Sequence, residues 1–209
     1  MKIILEKALE HIELTFFSLF IAMLIAIPLG IFLGRSKGKG ASYVLRLVAI
    51  IQTVPGLALI ALMIVCLVAV RSLFPLPVTG TLPAVLVLVL YALLPILTST
   101  YSGIDQVSKN VKNVASAMGM TKRQVLFYIE IPLSLPILIN GVRIALVSTI
   151  GMVTLTSLVG SGGLGDLIVQ GLRTMQWNLV LAGTLPAAFF AILFDILLMK
   201  VGNRFVFEQ

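Results

Sequence analysis

Residues 115–136 read ASAMGMTKRQVLFYIEIPLSLP, and they interrupt a chain that is otherwise strongly apolar. Lys122, Arg123, Gln124 and Glu130 stand here beside a glycine and two prolines, between two long hydrophobic segments. Just upstream, SKNVKNVASAM can form a short helix ended by Gly119, whose missing Cβ permits the left-handed turn of a helix C-terminus. Thr121 opens a second helix with Gln124 three residues on, the spacing of a capping box. That helix is expected to stop at or before Pro132, with Pro136 setting the entry to the next apolar segment. The pattern predicts a rigid helix–glycine–helix elbow over 108–135. Connections between packed helices usually need only about 2–8 residues. A long capped elbow with apolar Val114, Met118, Met120, Val125 and Leu126 therefore reads as a surface built to sit in another protein. The bland alternative is a polar loop joining two membrane helices.

The surroundings fix the class. Of the 209 residues 59% are hydrophobic and only 11% charged, about half the charged share of a soluble domain. Mean hydropathy is +1.13. Apolar stretches of about 20 residues recur, each long enough to cross a bilayer as a helix and too continuous for barrel strands. The expectation is an all-α membrane protein, one domain over 1–209, with about five transmembrane helices near 14–34, 43–70, 83–103, 137–157 and 178–199. The first run is too long for a signal-peptide core and reads as a span. In the second, Pro55 and Gly56 should kink or break the helix, and one kinked span is preferred. The loop RSLFPLPVTGTL at 71–82 is short, and no soluble segment is large enough for a catalytic domain, so no enzyme activity is expected. The lone Cys66 has no partner for an intrachain disulfide.

A formal charge of +7 invites a nucleic-acid reading, which its distribution removes. With these spans Arg35, Lys37, Lys39, Arg46, Lys109, Lys112, Lys122, Arg123, Arg143, Lys200 and Arg204 fall on one side. Lys2, Lys7, Arg71 and Arg173 fall on the other. Eleven of fifteen basic residues thus share one face, which the positive-inside rule makes cytoplasmic. The N-terminus is expected outside and the C-terminus inside.

At the elbow the chain resembles the inner-membrane permease subunits of bacterial ABC importers. Their signature loop reads E-A-A, three residues, Gly, nine residues, I-x-L-P. Asn113, Val114 and Ala115 occupy the first three places, and Gly119, Ile129, Ile131 and Pro132 fall at the required spacing. The departures are asparagine for glutamate and valine for the first alanine. IIQTVPGLALIAL, YALLPILTSTYSGI and GSGGLGDLI, with the elbow, narrow the likeness over about residues 50 to 175. Together they resemble permeases that import quaternary-ammonium osmoprotectants such as glycine betaine, carnitine and choline. Gly-Gly-Leu-Gly-Asp also looks like the methionine-importer permeases.

The resemblance implies a type I, methionine-importer-like fold in the bacterial cytoplasmic membrane and transport by alternating access. It implies a second permease subunit (a homodimer or a paralogous heterodimer), two cytoplasmic ATPases carrying ATP and Mg, and an external binding protein. The elbow, with Ala115, Ala117, Met118, Gly119, Met120, Thr121, Lys122, Arg123, Ile129 and Pro132, would dock in a groove on the ATPase. The chain itself has no G-x-x-x-x-G-K-[ST] loop. The rival readings are an amino-acid importer permease, a small ATP-independent transporter, and an assembly partner that docks without transmitting force.

Gly160, Gly162 and Gly165 spell G-x-G-x-x-G, but no strand precedes them and no βαβ unit surrounds them, so the dinucleotide reading fails. They are expected to form a flexible re-entrant turn into a short helix over 164–173, or an outer gate contacting the binding protein through Gly162, Gly163, Gly165 and Asp166. Gln52, Thr53, Pro55, Asn140, Thr154 and Thr156 either line the pathway or bond across helices. Arg143 and Asp195 are expected near the cytoplasmic ends of their spans, snorkelling to water. His11 reads as an interfacial residue. No residues have metal-ligand spacing, and Tyr91, Tyr101 and Trp177 do not form a recognisable aromatic cage in sequence.

Overall fold

The computed structural model describes residues 2–36, 40–71 and 73–205, and every regular element among them is helical. Lys37 and Lys39, counted above with the inner face, lie outside the described residues. Helices α1 (Lys2–Arg35), α4 (Thr81–Asp105), α7 (Ile131–Thr156) and α9 (Trp177–Asn203) are long and apolar enough to cross a membrane. Two shorter helices, α2 (Gly40–Thr53) and α3 (Gly56–Val70), supply the remaining candidate span. Helices α5 (Lys109–Ala117) and α6 (Lys122–Val125) form the elbow, and α8 (Leu164–Thr174) follows the glycine turn.

Helices α1, α4 and α7 make the centre. Their interlocking side chains include Leu19, Ala22, Ile96, Leu97, Leu146 and Ile150, all nearly inaccessible. Lipid is as apolar as leucine, so membrane helices associate through close packing, which small residues permit. A methyl at Gly30 would stand 2.6 Å from Thr100 Cβ, and one at Gly141 would stand 2.7 Å from the Pro95 carbonyl oxygen. These two glycines set how closely α1 and α7 approach α4. By contrast α3 and α9 leave Leu57, Leu62, Val65, Leu181, Leu185 and Phe189 exposed. Such faces belong in lipid or against another membrane chain.

The ends of the helices sort into two groups. Arg35 at the end of α1, Lys112 in α5 and Glu130 before α7 are joined by ion pairs, and Lys112 Nζ donates to the Ile104 carbonyl at the end of α4. At the opposite pole Lys7 pairs with Asp166, and the Gly80 N–H donates to the Val159 carbonyl at 2.7 Å. The chain leaves the first pole after Arg35 and reaches the second at Gly80. The α2–α3 segment with its 71–80 connection therefore makes a crossing, which gives five.

That crossing is broken rather than kinked, and the expectation of one kinked span over 43–70 is corrected: α2 and α3 meet at 103°. Pro55 is extended, with φ −55° and ψ 140°, and caps the start of α3. It offers no N–H to α2 and disfavours helical geometry at Val54. Gly56 then lets the break sit against Met152, whose sulfur would be 2.8 Å from an added Cβ.

The helix opened by Thr121 does not stop at Pro132, contrary to expectation. Lys122 to Val159 is one continuous helical path with a π-helical turn at Leu126–Glu130. Pro132 cannot donate to Tyr128, and its ring would crowd that carbonyl in a regular helix. The wider turn, closed by Ile131 N–H to the Leu126 carbonyl, comes just before the proline and carries the helix past it. Pro136 likewise lies inside α7 instead of marking its entry.

Candidate functional site

The elbow is built by its caps. Ser108 accepts from the Asn110 N–H to open α5. At the other end Gly119 has φ +84°, its N–H donates to Ser116 and the Met120 N–H donates to Ala115. These are the two bonds of a Schellman motif, and they need a left-handed residue at position 119. Thr121 Oγ1 then accepts from the Gln124 N–H, and the Gln124 side chain accepts from the Thr121 N–H at 2.8 Å. The capping box is complete, so α5 and α6 meet across the four residues 118–121 with both the end of α5 and the start of α6 capped.

This geometry presents Met118, 78% exposed, at the tip, with Val114, Ala117, Lys122 and Arg123 exposed around it. Ala115 is buried, and Met120 and Ile129 are half-buried. Pro132 is also half-buried and lies in the helix body, away from the tip. Val125 corrects the expectation of an outward apolar contact, because it is buried and turns into the chain's own packing. Phe127 and Tyr128 are exposed instead, since the π-helical turn rotates this stretch relative to a regular helix.

Behind the elbow Glu130 is 3% exposed and stands between two cations, 3.0 Å from Arg35 Nε and 3.1 Å from Lys112 Nζ. Arg35 also donates to the Lys122 carbonyl. A cleft of about 890 Å³ opens here, floored by Glu130 and Val125 and walled by Ile31, Phe32 and Met120.

The outer turn holds Gly162, Gly163, Gly165 and Asp166 against the start of α1. Gly162 and Gly163 both have φ +85°. The Gly163 N–H donates to Glu10 at 2.8 Å, and Lys7 bridges Glu10 and Asp166. A methyl at Gly165 would meet Ser157 Oγ at 2.5 Å. His11 lies beneath, fully buried, with Nε2 donating to the Ile150 carbonyl. It is a core residue of α1, which corrects the interfacial reading. Helix α1 runs unbroken from Lys2 through this position, and Gly163 leaves room for the ring.

The six candidate pathway residues do not converge. Gln52, Thr53 and Pro55 gather at the α2–α3 break, with Thr53 Oγ1 bonded to its own helix at Ile50. Asn140 lines a separate shallow cleft with Arg143 and the last turns of α9. Thr154 bonds back to Gly151. Thr156 is buried, bonds to Val153 and accepts from Ser161, so it anchors the outer turn.

Arg143 and Asp195 do not snorkel separately. They form a bidentate pair, with Nη2 to Oδ2 at 2.7 Å beside the shorter Nε–Oδ1 contact. Arg143 stands midway along α7 because that helix starts six residues before the expected span. The pair leaves no uncompensated charge at that depth. Two opposite charges on separate apolar runs were the available signal for it. Among the described residues no group of three or more His, Cys, Asp or Glu has the arrangement of a metal site.

Several crossing helices, a capped elbow at one pole and a pinned glycine turn at the other define the membrane-embedded subunit of a transporter. Residues 26–206 match the family described as binding-protein-dependent transport system inner membrane component, and the chain belongs to that family. It is 42% identical over 196 residues to the carnitine transport permease protein OpuCD of Listeria monocytogenes, covering 93% of this chain and 83% of that one. It is 38% identical over 201 residues to the choline transport system permease protein OpuBB of Bacillus subtilis, covering 96% and 88%. The fold matches the permease of the MetNI methionine ABC transporter in an inward-facing form, with TM-score 0.85 at 21% identity over 99% of this chain and 98% of that one. The chain is thus a type I ABC importer permease in fold, and it is not itself the ATPase.

Proposed function

We propose that the chain is the permease of an ATP-driven importer for a quaternary-ammonium osmoprotectant, working with a second permease copy or paralogue, two ATPases and an external binding protein. The observation that carries the cargo is 38–42% identity, over more than nine-tenths of the chain, to permeases named for choline and carnitine. The chemistry agrees. Arg143 and Asp195 neutralise each other, and the zwitterions glycine betaine and carnitine, which carry no net charge, need no buried counter-ion to pass. Amino-acid cargo has only the fold in its favour, since the methionine-transporter likeness is 21% identical. Vesicles holding the complete importer should accumulate glycine betaine, carnitine or choline in an ATP- and binding-protein-dependent manner. Accumulation of methionine without competition from any of the three would overturn the cargo.

The elbow pole faces the cytoplasm in this reading, where Met118, Lys122 and Arg123 meet an ATPase that holds ATP and Mg. The outer turn, with Gly162, Gly163, Gly165 and Asp166, faces the binding protein. The support is the basic residues at the elbow pole, Arg35, Lys109, Lys112, Lys122 and Arg123, set against Lys7 at the other. With Cys66 replaced, a cysteine at Lys122 should resist an impermeant thiol reagent outside intact cells, and one at exposed Thr79 should react. Ser161 makes a poor outer probe because it is buried. Labelling at 122 from outside would invert the orientation.

A further inference from the structure

We propose that Glu130 is a positioning residue that locks the elbow to the inner end of α1, so that α1 carries the elbow's displacement to the outer turn. This rests on the reading of the elbow as the ATPase-docking surface. Glu130 is buried, and its two oxygens face cations from two other elements, Arg35 of α1 and Lys112 of α5. Those cations hold further partners: Arg35 donates to the Lys122 carbonyl of α6, and Lys112 donates to the Ile104 carbonyl of α4. Both halves of the elbow are therefore tied through one carboxylate to α1 and α4. A buried carboxylate is tolerated only while its oxygens are paired, so withdrawing Arg35 or Lys112 leaves one Glu130 oxygen buried without its cation. The elements move together or the cluster breaks.

The other end of α1 carries a second set of links. At about 1.5 Å per residue, a helix of 34 residues is about 50 Å long. It ends among Lys7 and Glu10, which hold Asp166 and the Gly163 N–H of the outer turn. The two ends differ in kind. The difference lies in the carboxylates: the Glu130 side chain is 4% exposed although Arg35 and Lys112 keep 31% and 25%, whereas Glu10 and Asp166 keep 36% and 34%. Exposed ion pairs are weak and readily exchanged for water. The inner joint is thus the permanent one, and the outer clamp is the one that yields when the turn must release α1.

Two readouts on the reconstituted complex test this. Nitroxide labels at exposed Phe32 of α1 and Lys109 of α5, in a Cys66→Ser background, should keep one distance between the nucleotide-free and ATP-trapped states. In E130Q the distance should change between states, and stimulation of ATPase by loaded binding protein should fall roughly tenfold, within the usual range of coupling between sites. R35Q should match it. R35Q/E130Q should lose no more than either single variant, because the two side chains act as one unit. A wild-type distance that changes with ATP, or wild-type stimulation in E130Q, overturns the proposal. Losses that multiply in the double variant overturn it as well. If E130Q fails to assemble, the distance in the otherwise unaltered chain still decides. Failure of the elbow reading itself would appear separately, as full stimulation in G119V.

Discussion

Gly119→Val should uncouple the importer while leaving the membrane core folded. Gly119 has φ +84°, and a Cβ added there meets no atom within 4 Å. The side chain has room, so the whole penalty is in the backbone. A β-branched residue in the left-handed region is a genuine outlier, with a cost of order 1–3 kcal/mol. The cheapest relief is to open the Schellman turn, which changes the angle between α5 and α6 and moves Met118 off its docking position. If that cost falls on docking, the ATPase response to loaded binding protein drops about 5- to 150-fold, with uptake following. Gly119→Asn should be milder, since asparagine visits this region more readily. Equal stimulation in the wild-type, Asn and Val forms, at equal expression, would return the elbow to the status of a connecting loop.

Gly141→Leu should have the second large effect, on folding rather than coupling. Even a methyl at this position would be 2.5 Å from Ser99 Oγ and 2.7 Å from the Pro95 carbonyl oxygen. The hydroxyl can rotate away, but Ser99 Cβ, nearer still, and the Pro95 carbonyl are fixed by the backbone. Overpacking of this kind typically costs about 1–3 kcal/mol, and leucine adds three carbons beyond the methyl. The variant should unfold in detergent at a clearly lower temperature and express poorly. Gly141→Ala should show the same sign with a smaller loss, and Ser99→Gly should restore part of it while the Pro95 contact remains. An unchanged melting temperature in Gly141→Ala would show that α4 and α7 separate more easily than their packing implies.

Much of this was legible because membrane helices announce themselves by length and apolarity. Four long helices overlap the expected spans, with α1 starting twelve residues before position 14 and α7 six before position 137, and the cap at Thr121 and the left-handed Gly119 follow from local chemistry alone. Other features depend on what meets in space. The buried role of His11 follows from α8 and the glycine turn folding over α1. Glu130 sits in the same short stretch as the docking residues, yet its partners lie 95 residues before it at Arg35 and 18 before it at Lys112. Nothing local distinguishes it from a solvated glutamate. Pro132 misled for a different reason: a proline ends a regular helix, but a π-helical turn absorbs it, and that choice is made by the packing of the whole path into α7.

The central claim, that the elbow is the surface docked by the ATPase, is tested most directly by cross-linking in the assembled importer. A photoreactive amino acid at Met118, 78% exposed at the elbow tip, should capture the ATPase subunit on illumination. The same residue at Trp177, 73% exposed at the start of α9 near the outer turn, should not. Capture should also weaken in the Gly119→Val background. Capture of the ATPase from position 177, or none from position 118 in a complex that hydrolyses ATP in response to substrate, would contradict the account.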